Sequence, residues 1–286
     1  MDIDGIIRRR EKVELNRAGQ AAVRRLYDFD LLDRTIVESI TYLSDGLHVN
    51  GYIARPIADG KYPVLVWNRG GSEDKGALDD LTAHLILAST ARWGYIVLAT
   101  QYRGNMGSEG DDEWGGDDLH DIHNIIKAAE NIPECDTDRM AIEGASRGGM
   151  NTYRMLLEDD RFKCAIVHAG ITDVPALMTA RPDFARYIDR HYVGLSEEKK
   201  QEELEKLSAV HFAGNLPRHI PLLIMHGTAD TVVPVEQSRA LAAQLKKYNL
   251  PHKFVILEGG THVALKDGSY REIDTHRREW LARYLA

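Results

Sequence analysis

Six short apolar runs separated by stretches of helical periodicity constrain this chain more than any other feature. PVLVW (63–67), YIVLAT (95–100), RMAIEG (139–144), KCAIVHAG (163–170), PLLIMHG (221–227) and HKFVILEG (252–259) are largely apolar rather than alternating. A strand that is apolar on both faces must be covered on both, as in a parallel sheet flanked by helical crossovers. The intervening LTAHLILASTARW, DLHDIHNIIKAAEN and VEQSRALAAQLKKY repeat their apolar residues at helical spacing. Ahead of them TIVESITYL, a Ser44-Asp45-Gly46 turn and LHVNGYIARP alternate, which predicts an antiparallel β-hairpin. The expected fold class is therefore α/β: a mostly parallel sheet entered by an antiparallel hairpin.

Two segments stand outside this rhythm. Residues 1–34 read as an N-terminal helical arm, and 35–286 as a single catalytic-type domain. Within that domain an insertion from about 172 to 218 interrupts the alternation. It contains SEEKKQEELEKL, with acids in the first turn of a predicted helix and Leu204 and Leu207 on one face. An excursion that leaves one sheet strand and returns to the next predicts a small helical cap. The acidic, Gly-rich run EGDDEWGGDD (109–118) reads as a solvated loop.

Charge and cysteine content narrow the function classes. The 286 residues carry a formal net charge of −8, which argues against a nucleic-acid partner, since phosphate binding needs a basic face. No run approaches the roughly 20 apolar residues of a membrane span. The basic N-terminus lacks the apolar stretch of a secretory signal. The two cysteines, Cys135 and Cys164, have neither disulfide-framework nor metal spacing. These features predict a cytoplasmic protein with no membrane partner, and leave homo-oligomerisation open.

One of the apolar runs ends in a cluster of small residues. AIEGASRGGM (141–150) matches G-x-S-x-G at Gly144, Ser146 and Gly148, between a predicted strand and a predicted helix. That is the context of a nucleophile elbow, whose sharp turn presents a serine beside the helix N-terminus. A serine nucleophile needs an acid and a histidine, in the order Ser, acid, His, at the carboxyl ends of later strands. Asp230 follows the strand PLLIMHG in a short loop just before a helix. Asp173, after KCAIVHAG, is the rival acid. Of the histidines beyond Asp230, His252 precedes its strand and His276 lies within the last helix. His262, on the loop EGGTHVA after the last strand, is selected. The oxyanion donors are expected from the amide of Arg147 and from the loop at Gly70 and Gly71.

Taken together these residues resemble the catalytic domain of the prolyl oligopeptidase family of serine hydrolases. Beyond the elbow the resemblance rests on SDGLHVNGYIARP, QYRGNMGSEG (101–110), GGDDLHDI and HGTADTVVPVEQSRALAAQLK, and it runs from about Thr41 to the C-terminus. It implies an α/β-hydrolase fold and a catalytic triad on Ser146, Asp230 and His262. Two features depart from that family. Fewer than forty residues precede the hairpin, where its peptidases usually carry a β-propeller. Asn68-Arg69-Gly70-Gly71 stands where an H-G-G-P motif is common.

The predicted activity is hydrolysis of small ester or amide substrates through an acyl-enzyme, without metal or organic cofactor. Esters are favoured because their leaving groups are better and tolerate looser positioning. The alternative is a peptidase of the resembling family, acting on short peptides; a non-catalytic binding protein of the same fold is the third reading. Arg103 is expected to pair with Glu109, Asp111 or Asp112. Arg147 is left between a substrate anion and a local acid. His120 and His123, three apart on a helix, are a minor metal candidate. Trp114, Tyr187 and Tyr192 are candidates for an apolar substrate pocket.

Overall fold

Each apolar run becomes a strand in the computed structural model, which describes residues 5–27, 31–264 and 268–286. The chain divides into two compact units. Residues up to Asp112, with Gly116–Ile142 and Leu285, form the first; Glu113–Gly115, Glu143–Tyr284 and Ala286 form the second.

The first unit contains β1 (Ile7–Lys12), β2 (Thr35–Ser44), β3 (Leu47–Pro56), β4 (Tyr62–Asn68), β5 (Ile96–Thr100) and most of β6 (Cys135–Ala145). Its strand order is β1-β2-β3-β5-β4-β6. β2 and β3 form the expected hairpin, in register from Thr35↔Pro56 to Ser44↔Leu47. Asp45 and Gly46 both take positive φ, at 52° and 80°, the requirement of a two-residue turn that matches strand twist. β3 pairs antiparallel with β5, and β4 pairs parallel with β5. All five residues of β5 are buried, as a strand covered on both faces demands.

The N-terminal residues differ from the helical expectation. Residues 7–12 form β1, antiparallel to β2, and only Arg17–Leu26 is a helix, capped by Asn16. IRRREK carries no apolar stripe at helical spacing. Instead Glu38 of β2 accepts from Arg10 of β1 at 2.7 Å and from Arg55 of β3 at 3.1 Å. A charge ladder across three strands thus fixes a polar edge strand.

The hairpin turn is tied down by a buried charge. Asp121, fully buried on the helix Asp118–Glu130, accepts from the Ser44 hydroxyl (2.6 Å) and from the Arg103 amide (2.7 Å) and guanidinium (2.9 Å). The same guanidinium reaches Asp45 at 2.7 Å. Arg103 therefore plays the structural role expected of it with different partners. Its own amide already binds Asp121, so its side chain turns inward, while Glu109 accepts from the His48 amide. Asp45 also takes His120, whose Nδ1 lies 2.8 Å away.

The second unit holds the end of β6, the helix Arg147–Glu158, β7 (Cys164–His168), β8 (Leu222–Gly227), the helix Glu236–Lys247, β9 (His252–Leu257) and the helix Tyr270–Leu285. β7, β8 and β9 are parallel neighbours. Between β7 and β8 the chain forms the helices Val174–Ala180, Pro182–Asp189 and Glu197–Lys206 and shorter turns. Their apolar residues Leu177, Ile188, Leu204 and Leu207 pack in one cluster with Trp114, Met150 and Val233. Trp114 is only 2% exposed, so the acidic run 109–118 is not simply a solvated loop. Burying an indole outweighs the polar character of its neighbours. Among the described residues no helix is long and apolar enough to cross a membrane.

A bidentate ion pair closes this unit beneath the sheet. Arg277 of the last helix donates to both carboxylate oxygens of Glu143 on β6, at 2.7 and 2.9 Å, and to Asp274 at 2.8 Å. Removing one partner of a buried pair strands the other charge. Arg277→Met is expected to lower the unfolding free energy by about 3–5 kcal/mol, read as a fall in the urea midpoint at unchanged slope. Adding Glu143→Leu to that variant is expected to recover most of the loss, because the fully buried carboxylate is then gone and only the partly exposed Asp274 lacks its partner.

Candidate active site

Ser146, Asp230 and His262 all belong to the second unit, and each follows the carboxyl end of a strand. Ser146 comes directly after β6 and takes φ 57°, ψ −122°, a conformation that costs a non-glycine residue about 1–3 kcal/mol. Its surroundings hold it there. Its amide donates to the His168 carbonyl of β7 at 3.1 Å, and its carbonyl accepts from the amides of Gly149 (3.0 Å) and Ile171 (3.2 Å). Gly144 has no alternative: a Cβ there would overlap the Gly148 carbonyl oxygen. The small residues around the serine are thus the steric condition for the turn.

Asp230 and His262 are joined through their backbones before their side chains meet. The loop after β8 donates from Thr228 to the Leu257 carbonyl at 3.0 Å and from Ala229 to the Gly260 carbonyl at 2.9 Å. Gly227 permits this approach, since a Cβ there would strike the Gly260 carbonyl. Asp230 Oδ1 then accepts from the amides of Val232 (2.8 Å) and Val233 (2.9 Å), and Oδ2 lies 2.7 Å from His262 Nδ1. Because a carboxylate accepts, Nδ1 carries the proton and Nε2 of the neutral imidazole is left as a base. Burial pushes the Asp230 carboxyl up. Hydrogen bonds from His226, His262 and the Val233 amide outweigh this and hold it well below the usual carboxylate range. The acid therefore stays ionised wherever the imidazole can work.

The remaining candidates fall elsewhere. Asp173 caps the helix Val174–Ala180, its side chain accepting from the Ala176 amide at 2.9 Å. His252 starts β9 and His276 lies in the last helix. Arg147 opens the helix after the elbow. Its side chain is 1% exposed, with the guanidinium 5.7 Å from the Trp114 ring centre. Trp114, Tyr187 and Tyr192 share the apolar cluster of the helical segment. Gly70 and Gly71 lie in the first unit, in the loop after β4. Arg69 braces that loop, donating to the carbonyls of Gln101 (2.9 Å), Glu73 (2.9 Å) and Gly70 (3.1 Å). Among the described residues no three His, Cys, Asp or Glu side chains are grouped to hold a metal ion.

Sequence reasoning passed over two histidines. His168 ends β7 and His226 lies in β8, both within otherwise apolar strands. Burial pushes His168 down to about 4, and the nearby His226 and His262 add to that effect. His226 Nε2 is 3.3 Å from Asp230 Oδ2. For His226 the signal was present: an imidazole inside a fully buried strand must find partners.

Comparison with known proteins gives a consistent picture. The family model described as the prolyl oligopeptidase family matches residues 82–286. The uncharacterized peptidase YtmA of Bacillus subtilis (strain 168) is 29% identical over 214 residues, 74% of this chain and 80% of YtmA. Peptidase YuxL of the same organism is 27% identical over 252 residues, 83% of this chain and 37% of YuxL. Among solved structures, a puromycin-hydrolyzing peptidase of Mycobacterium tuberculosis aligns with a TM-score of 0.70 at 21% identity, covering 88% of this chain and 46% of that one. Acylaminoacyl peptidase of Pyrococcus horikoshii aligns with a TM-score of 0.69 at 25% identity, covering 89% and 42%. The chain thus spans most of YtmA and less than half of each of the other three.

The two acids make separable demands. Asp230→Asn is expected to reduce kcat by about 10⁴-fold, the effect of the wrong tautomer in a chymotrypsin-type triad. Asp173→Asn, which keeps a capping side chain, is expected to change kcat less than about threefold. Parallel steady-state kinetics on the two variants checks both, and a reversed order would move the acid to the loop after β7.

Proposed function

Because the chain belongs to the prolyl oligopeptidase family and has the α/β-hydrolase fold, we propose that it is a serine peptidase acting on short peptides and aminoacyl amides through an acyl-enzyme. The observation that carries this reading is the Asp230–His262 pair at 2.7 Å, in the same unit as a serine held in elbow geometry. His262 Nε2 takes the Ser146 proton as Oγ attacks the carbonyl carbon, and Asp230 stabilises the imidazolium that forms. The Arg147 amide, at the N-terminal end of a 12-residue helix, offers a donor to the developing oxyanion. His262 then returns its proton to the leaving amine, and water repeats the sequence to release the acyl group.

Preference for amides reverses the order suggested by bond reactivity alone. Leaving-group chemistry favours esters on any serine hydrolase. The relatives, however, include named peptidases, among them an acylaminoacyl peptidase. The aromatic cluster of the helical segment, with Phe184, Tyr187 and Tyr192 packed at its edge, supports an apolar residue on the acyl side of the scissile bond.

A direct comparison tests the reading: kcat/KM for an aminoacyl amide and an ester with matched acyl groups and one leaving-group scaffold. Amide turnover at or above the ester rate is expected; an ester preference well beyond intrinsic reactivity would make the protein an esterase. Ser146→Ala is expected to cost about a million-fold in kcat and to abolish labelling by a fluorophosphonate. A folded wild-type protein that takes no label would instead be a binding protein. Activity is expected to survive exhaustive EDTA treatment.

A further inference from the structure

His226 is a buried group that the proposed chemistry leaves unused. It lies in β8, between Met225 and Gly227, and its side chain has no exposed surface. An aliphatic residue would fill such a site without the cost of burying a polar ring. The imidazole instead makes three contacts. Nε2 is 2.8 Å from the Val233 carbonyl and 3.3 Å from Asp230 Oδ2, and Nδ1 is 2.7 Å from the Ser238 hydroxyl. A carbonyl only accepts, so Nε2 carries a proton and donates it to Val233, with Asp230 Oδ2 close to the same nitrogen. In the neutral ring, Nδ1 then accepts from Ser238.

This arrangement completes a shell of donors around one carboxylate. The Val232 and Val233 amides take Oδ1, and His262 and His226 converge on Oδ2. We infer that His226, held in one tautomer by Ser238, is a positioning residue that fixes the Asp230 carboxylate and limits how much negative charge it presents to His262. The inference rests on the triad reading given above. His168 on β7 feels the charges of His226, His262, Asp230 and Arg277, the last of which is paired with Glu143 and Asp274. Among the described residues, His226 and His262 have a side-chain nitrogen within 3.5 Å of Asp230.

A donor withdrawn from a carboxylate leaves it a stronger partner for the remaining donor. The imidazolium of His262 is then harder to deprotonate, and the acid limb of the kcat/KM–pH profile moves to higher pH. Misalignment of the acid lowers kcat, while the substrate, which does not touch His226, keeps its KM.

The test uses three variants of the full chain, assayed on one aminoacyl amide with thermal unfolding as the check of folding. His226→Phe keeps ring volume but removes both nitrogens. Its acid limb is expected to rise by about 0.5–1 pH unit, with kcat reduced about 10- to 100-fold and KM within about twofold. His226→Gln, which restores an N–H near the position of Nε2, is expected to recover most of kcat and the wild-type limb. Ser238→Ala is expected to fall between the two. An acid limb that stays at its wild-type position in His226→Phe, or a His226→Gln as impaired as His226→Phe, would overturn the inference. Should His226→Phe not fold, an unchanged kcat and limb in Ser238→Ala would do the same. Fluorophosphonate labelling of the wild-type serine keeps the two readings apart. Without wild-type labelling the triad itself fails; with it, silent variants refute only the role of His226.

Discussion

A buried carboxylate is among the most expensive groups a fold can hold, and the second unit is organised around one. Asp230 has a side chain with no exposed surface, yet its ionised form is favoured because N–H donors surround it. Each donor depends on a different part of the chain. The two valine amides require the tight turn after β8, His226 requires the interior of that strand, and His262 requires the loop after β9. The loops can meet only because Gly227 and Gly260 let their backbones hydrogen-bond directly. The sheet register that brings β8 beside β9 is therefore also what makes the charge tolerable. The imidazole gains a fixed tautomer from the same arrangement.

Much of this was legible in the residues. Apolar runs predicted strands because a strand buried on both faces has no polar position to spare. Asp45-Gly46 predicted the hairpin because few other pairs accept positive φ twice. The turn at Ser146 was legible because a serine among glycines after a strand has a steric reason, and topology placed Asp230 and His262 on neighbouring strand ends, where their side chains meet. What stayed hidden were interactions between residues far apart in the chain. Nothing local marks Arg10 and Arg55 as partners of Glu38, so β1 was read as part of a helical arm. Trp114 sits among acids and glycines, and local polarity concealed a ring that packs against residues from 150 to 233. Arg103 was paired with acids near it in sequence, whereas the fold supplies Asp121 and Asp45. His226 was visible as a polar residue in an apolar strand, but its meaning depended on a serine twelve positions later.

The first unit shows the same economy in a different form. Arg69 is fully buried, and its guanidinium meets three carbonyl oxygens. A delocalised cation suits that task, because its planar fork of donors satisfies several carbonyls at once. The glycines of the following loop are thus braced from within the unit.

Adjacent residues on one helical turn serve two ends of the second unit. Gln237 accepts from the amides of Thr172 and Asp173, at 2.9 and 2.8 Å, and returns a bond to the Asp173 carbonyl at 2.9 Å. Ser238 holds His226. The root of the helical excursion and the mount of the acid thus share a single anchor point. Recombining this scaffold with a foreign excursion, to alter what it accepts, is consequently a question of junctions. A graft that begins beyond Asp173 leaves the shared anchor whole, whereas one that replaces Thr172 tugs on the helix that steadies Asp230. The modular boundary lies beyond Asp173, several residues past the end of β7 at His168.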